Sequence, residues 1–463
     1  MKTKHIYILF FFLFCNAIAA EKKVASTQDA SDGLYISVFD IDATPPIGSW
    51  LAYDPMVNEW DLSLRARGVV ITGVDKPIVL CAIDWIGISN DSQDAFKSVL
   101  AEAAGTEPAY VVVHTLHQHD APICDFSAEE MLREAGLTPT SFDGDFARRM
   151  MERLKQAVAE SLQNAKPVTH IKTGKAPVYQ VASNRRIIKE DGTMEMMRGT
   201  ACRDSALRSK PEGLVDPDVS IISFWNQEKP VAVLSFYATH PQSYYLTKIA
   251  NPDFPGVARF YRQLAVPEAL HVHFNGAGGN IGAGKYNDGS PENRLILAER
   301  LADGMKRAWE SSERHSITAK DVSWGIEPVL LPIVEGLEET IEKDMLTKDM
   351  RYLTNNMGRL GWIKRRKAGK AIDINCLSVG NARVLFMPGE LFVEYQLAAK
   401  ALRKDLFVTM AAYGDYGPFY IGTKQAYQQG GYEIQSSPVT ADAEEILMNA
   451  ILKLLPALPD YTF

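Results

Sequence analysis

The sequence predicts an α/β protein, a mixed and mostly parallel sheet buried between layers of helix. Two observations carry this reading. Apolar segments come as unbroken runs, "PIVLCAIDWIG" (77–87), "AYVVVHT" (109–115), "VAVLSFYATHP" (231–241), "LHVHFNGAGG" (270–279), "ARVLFMPGE" (382–390) and "LFVTMAAYGDYG" (406–417). Runs that do not alternate with polar residues belong to strands covered on both faces. Between the runs lie segments of helical period at 92–104, 146–164, 255–264, 291–310, 391–402 and 441–455, and strands alternating with helices specify a layered α/β architecture. Ser290 and Pro291 open the fourth helix as a cap followed by a first-turn proline.

The ends of the chain set its compartment. In residues 1–20, Lys2 and Lys4 precede an apolar run and then small residues, the pattern of a secretory signal peptide. The mature chain, 21–463, is then expected in a periplasm or outside a cell, as one catalytic domain without sequence repeats or linkers. It has no apolar stretch long enough to span a membrane. Its formal charge of −8 becomes more negative when Lys2 and Lys4 leave, which argues against nucleic acid as a partner. Among the cysteines, Cys81 and Cys376 lie in apolar runs, whereas Cys124 and Cys202 lie in loops and are expected to be able to pair in an oxidising compartment. The stretch 327–370 is helical and charged, with basic residues gathered at 364–370. It reads as a solvated face, with a helical lid as the alternative.

From the second run onward, each strand candidate ends at residues able to do chemistry. The second leads to His114, His117 and His119, the third to His240, the fourth to a glycine-rich turn, the fifth to Glu390, and the sixth to Tyr413, Asp415, Tyr416 and Tyr420. Ligands bind beyond the carboxyl ends of strands in such sheets, so these groups are expected to converge. Imidazole and carboxylate together suit zinc and several other metals. His117 and His119 alternate on an extended face and can reach one cleft, while His114, still within the strand, reads as structural. The glycine turn 276–289 lacks the lysine of a phosphate loop and the spacing of a dinucleotide fingerprint; its glycines instead allow backbone to approach a ligand closely.

These motifs resemble the amino-terminal catalytic domain of the neutral/alkaline ceramidases, zinc-dependent amidases. The likeness extends from about Ser37 to Leu455 through "DIDATPPIG", "AIDWIGIS", the histidine motif, "SNRRI", "DPDVSIISF", "ATHPQS", "GAGGNIG" and "PGE". It implies zinc ligands at His117, His240, Glu390 and Tyr420, and a catalytic or substrate-facing partner at His119. It implies further that Arg185 and Tyr432 hold the substrate near the scissile group, with Asn280 and Gly282 lining the same side. Two features depart from the family pattern. Where it carries a nucleophilic serine, this sequence has Gly282, and the chain ends at Phe463 without the immunoglobulin-like carboxyl-terminal domain.

The function expected on these grounds is an exported zinc-dependent hydrolase of an amide or ester bond, acting on a small-molecule, lipid or saccharide substrate through metal-activated water. On this view Gly282 leaves room for a bulkier or more polar substrate. A polysaccharide lyase or glycoside hydrolase on the same metal scaffold is the alternative, favoured by the many Tyr and Trp residues. A catalytically inactive binding protein is the second.

Overall fold

Strand and helix follow one another in a fixed order that is repeated three times. The computed structural model describes residues 33–60, 62–347 and 349–456, so the signal segment 1–20 lies outside the described residues. In the first unit, strands Tyr35–Asp42, Arg65–Thr72 and Ile78–Ile83 pair antiparallel in sequence order. Helix Asn90–Ala104 then leads to strand Val111–Thr115, which joins Ile78–Ile83 in parallel, and helix Asp145–Leu162 returns to pack on the first strand.

The second unit repeats this with strands His170–Pro177, Asp218–Asn226 and Lys229–Tyr237, helix Asp253–Ala265, parallel strand Leu270–Asn275 and helix Glu292–Glu310. The third uses strands Val322–Val329, Ile372–Val379 and Ala382–Phe386, helix Val393–Leu402, parallel strand Phe407–Ala411 and helix Ala443–Leu454. Short strands Lys166–Pro167 and Glu313–Ser316 extend the first two sheets beside their first strands.

The α/β class holds, but one expectation needs correction. Only the last pairing in each unit is parallel, so the sheets are mixed and mainly antiparallel. The six apolar runs are the third and fourth strands of the three units, and those pairs are indeed parallel. The first two strands escaped notice because they carry polar residues, as in "YISVFDID" and "HIKTGKAP". The chain is also repetitive in topology, although its sequence shows no repeat.

The reason for unbroken apolar runs lies in the packing. Ile78, Leu80 and Ala82 turn one way, into a cluster shared with Phe224, Leu234 and Phe274 of the second sheet and Leu377, Val384 and Phe386 of the third. Val79, Cys81 and Ile83 turn the other way, onto the two helices of their own unit. The three sheets therefore face one another across a common core and wear their helices outside. With the usual period of two, both faces must be apolar.

The segment 327–370 is an insertion between the first two strands of the third unit. Its helix Met350–Lys367 buries Leu353, Met357, Leu360, Trp362 and Ile363 in the third unit's core. Its basic end is matched outside: Lys364 and Lys367 pair with Glu338, and Arg365 with Asp91 and Asp94. All four cysteines of the described residues are free and buried; Cys124 Sγ donates to Ser92 Oγ at 3.2 Å, so the pairing of Cys124 with Cys202 is not formed. No helix among the described residues is long and apolar enough to cross a membrane.

His114 belongs to the common core. Its Nδ1 donates to the Ala412 carbonyl at 2.6 Å, and its ring lies against Phe274 and Phe386. Burial pushes its pKa from 6.5 down to about 4, against the opposing pull of the Ala412 bond. Protons therefore prefer the unfolded chain, and the stability tied to neutral His114 is whole above pH 6.5 and is lost as the pH falls towards 4, by roughly 3 kcal/mol. In urea titrations, His114→Phe should lose less stability than the wild type across this window. Equal losses would remove His114 as a source of acid sensitivity.

Candidate metal centre

The carboxyl ends of the three parallel strand pairs meet at one place. The first unit brings the turn 84–87 and His117 with His119, the second His240 and the glycine loop, the third Glu390 and the segment 413–420. Backbone bonds tie the first and second units to the third here. Thr115 N–H donates to Tyr413 O at 2.9 Å, Ala412 N–H to Asn275 O at 2.9 Å and Gly279 N–H to Leu391 O at 2.9 Å. Glu390 and Tyr420 are neighbours because the short strands Glu390–Leu391 and Tyr420–Ile421 pair in parallel, residue against residue.

His117 has a left-handed backbone, φ 65°, with its N–H on Trp85 O. Such a conformation is costly for a side chain of this size and persists where surrounding structure imposes it. Its Nδ1 donates to Ile86 O at 2.7 Å, which leaves Nε2 as the lone-pair nitrogen. That Nε2 is buried without a hydrogen-bond partner and faces Glu390 Oε2, also unpartnered, at 3.4 Å. The other Glu390 oxygen accepts from Tyr416 Oη at 2.8 Å. His240 Nδ1 lies 3.7 Å from Glu390 Oε2, and His240 Nε2 lies 3.4 Å from His119 Nε2.

This arrangement fits a metal ion. Tetrahedral coordination with bonds near 2.0–2.1 Å sets ligand atoms about 3.3 Å apart, close to these separations. Burial, with the Arg185 charge, holds His119 and His240 well below the ordinary imidazole pKa, so both stay neutral. Burial works against the Glu390 charge, yet its pKa is lowered, with the Tyr416 bond and the Arg185 charge among the causes. Neutral imidazoles beside an ionised carboxylate form a ligand set for zinc or a related ion.

The geometry redistributes some sequence expectations. His117, His119 and His240 place one nitrogen each within 4.8 Å of one another, so His119 stands among the potential ligands as well as beside them. Tyr420 joins through Arg185, whose Nη1 reaches Tyr420 Oη at 3.3 Å and His240 Nδ1 at 3.5 Å. Tyr432 is 50 % exposed and meets the Tyr420 ring at 5.7 Å, at the mouth of the site.

Asn280 is engaged elsewhere. Its amide donates to Glu394 Oε2 and accepts from Val393 N–H, capping the start of helix Val393–Leu402. Gly282 does not open space either. A Cβ there would stand 2.7 Å from Thr200 Cγ2, so the Thr200 methyl already fills the position. Gly279 shows why the loop is glycine-rich, since a Cβ would lie 2.2 Å from the Glu390 carbonyl.

Sequence reasoning found Arg185, which the connection between the first and second strands of the second unit brings to the site, but missed its neighbours. The corresponding connection of the first unit sends Tyr53 to stack on His119, with Tyr245 edge-on to both. Buried Glu433, from the segment after the fourth strand of the third unit, faces Arg185 at 3.6 Å while pairing with Arg186 at 3.1 Å. No motif marks Glu433 beyond its place next to Tyr432.

No protein-family model matches the sequence, and no curated protein does. Solved structures do match in fold. The neutral ceramidase of Pseudomonas aeruginosa superimposes with a TM-score of 0.63 over 91 % of this chain and 74 % of that one, at 14 % identity. A ceramidase complexed with C2 gives 0.64 over 93 % and 77 %, at 13 % identity. The fold is therefore ceramidase-like, three sheets and their helices included.

The purified protein is expected to take up about one zinc per chain, measured by mass spectrometry, and His117→Ala and His240→Ala are each expected to lose it. Tyr416→Phe, which frees the second Glu390 oxygen, should weaken binding about 10- to 100-fold. Undiminished metal in both histidine variants would place the ion elsewhere.

Proposed function

We propose that this chain is an exported zinc-dependent hydrolase that cleaves an amide or ester bond with water rather than through a serine ester. The observation that carries it is the pair of buried, unpartnered lone pairs on His117 Nε2 and Glu390 Oε2, 3.4 Å apart, beside a glycine at the position of the family's nucleophile. His117, His240 and Glu390, with Tyr420, are proposed to hold the ion. When bound, zinc brings the pKa of a water to about 7 and polarises a carbonyl.

The chain's own groups do the rest. Ile86 fixes the His117 tautomer, and Tyr416 orients Glu390. His119, neutral and stacked on Tyr53, is the base that takes a proton at a ring nitrogen and returns it to the leaving group. Arg185 supplies fixed positive charge for the developing oxyanion, held by Glu433 from behind. Tyr432 orients the substrate at the mouth. Residues 1–20 direct export and are removed.

A carbohydrate substrate is the second reading, favoured by the partly exposed rings of Tyr245 and Tyr432 beside His119 and Tyr420. A lyase would release an unsaturated uronate seen by ultraviolet absorbance, whereas a hydrolase would not.

On N-acyl amides and carboxylic esters, His119→Ala should lower kcat about 10²- to 10⁴-fold while the protein keeps its zinc. Gly282→Ser should give no faster enzyme and should cost about 1–3 kcal/mol of stability, because it overpacks Thr200. Full activity in His119→Ala, or a rate gain in Gly282→Ser, would overturn the water mechanism.

A further inference from the structure

We infer that the substrate carries a carboxylate and that Arg359 binds it. The position of the reacting bond rests on the hydrolase reading above; the anion rests on the surroundings of Arg359 itself. This residue lies on helix Met350–Lys367, in the connection between the first two strands of the third unit. It occupies the place that Tyr53 and Arg185 hold in the other two connections. Adjacent Gly358 seats the helix against Phe419, where a Cβ would be 3.2 Å from the ring.

The Arg359 guanidinium lies over the Phe419 ring at 5.3 Å, Phe419 packs on Tyr416 at 4.8 Å, and Tyr416 donates to Glu390. Two rings thus separate this cation from the proposed metal ligand. Its field reaches Tyr432, Tyr416 and Glu390, although burial is the largest influence on it. It faces the site.

Unlike Arg185 beside the site, Arg359 has no carboxylate partner among the described residues. Among the described residues its hydrogen bond runs from Nη1 to Asn356 Oδ1 at 3.2 Å, one turn back on the same helix. Its Nε is buried and unpartnered, and no carboxylate of the described residues pairs with it. The other basic residues of this helix end are satisfied, Lys364, Arg365 and Lys367 by carboxylates and Arg366 by the Leu331 carbonyl. Arg185 likewise has Glu433. Buried cations are ordinarily matched by an anion, and here the described residues supply none.

The free edge of the guanidinium is Nε with Nη2, a fork that fits two coplanar oxygens. That favours a carboxylate over a phosphate, whose second charge would need another unpaired cation. An N-acyl amino acid and a uronate both present this group.

Titration calorimetry on the zinc-loaded mature protein distinguishes them, using N-dodecanoylglycine against its neutral glycinamide analogue, and D-glucuronate against D-glucose. In one pair the carboxylate should bind at least about tenfold tighter than its neutral partner, which also names the source. Arg359→Gln should bring that ratio to within about twofold of one, and Arg359→Lys should keep part of it. Equal affinity within both pairs for the wild type, or a ratio that survives Arg359→Gln, would overturn the inference. The wild-type ratios decide even if Arg359→Gln fails to fold. Turnover of the same compounds is followed separately, so charge selectivity without hydrolysis would count against the hydrolase reading alone.

Discussion

The constraint on which the site depends is the desolvation of lone pairs that the protein does not itself match. His117 Nε2 and Glu390 Oε2 are buried, aimed at each other and without a donor. A folded chain ordinarily avoids such a state, because an unmatched buried polar atom costs free energy. Here it is imposed by bonds on the far side of each group: Ile86 claims the other His117 nitrogen, and Tyr416 the other Glu390 oxygen. The acceptors left over point to one spot. A cation is the partner such a spot lacks, and its binding free energy would add to the stability of the loops that hold it.

The threefold arrangement explains how distant residues arrive there. A parallel pair brings two carboxyl ends side by side, and three pairs around a common core bring six. The third strand leads through one helix to the start of the fourth, so each unit presents two connections, one after each strand, at the same end. Proposed ligands separated by more than a hundred positions, such as His117 and His240, then need only sit just beyond their strands. The cost is strain at the corners: His117, Tyr413 and Phe419 all have positive φ.

Much of this was legible in the sequence, and the pattern of what was legible is physical. The third and fourth strands of each unit are sandwiched between common core and helices, so they read as apolar runs, and the proposed ligands His117, His240 and Glu390 follow them directly. The helices were visible by their period. The first two strands bear more polar residues, and Tyr53 sits in an irregular connection between them; Glu433 lies in the segment after the last parallel strand, and Arg359 in a helix legible only as a charged face, so none of the three carried a signal of its own. Asn280 looked like a substrate contact because it lies in the glycine loop; only its bonds to Glu394 and Val393 show that it serves a helix.

Gly282, which the ceramidase resemblance sets where a serine nucleophile is expected, bears on the proposed chemistry. Identity of 13–14 % suffices for a shared fold because strand-end geometry asks only for small motifs at the corners and apolar residues between them. A glycine at such a position would leave a hole if nothing else filled it. Instead Thr200 fills it with a methyl group and turns its hydroxyl to Gln242. A packed, hydrogen-bonded replacement is what a site organised for another reaction course would hold, since an idle cavity costs stability and a second hydroxyl aimed at the metal would compete for it. On the proposed reading the reacting group then meets the exposed rings of Tyr245 and Tyr432, and the positive charges near the site are Arg185, already paired with Glu433, and Arg359, which is not.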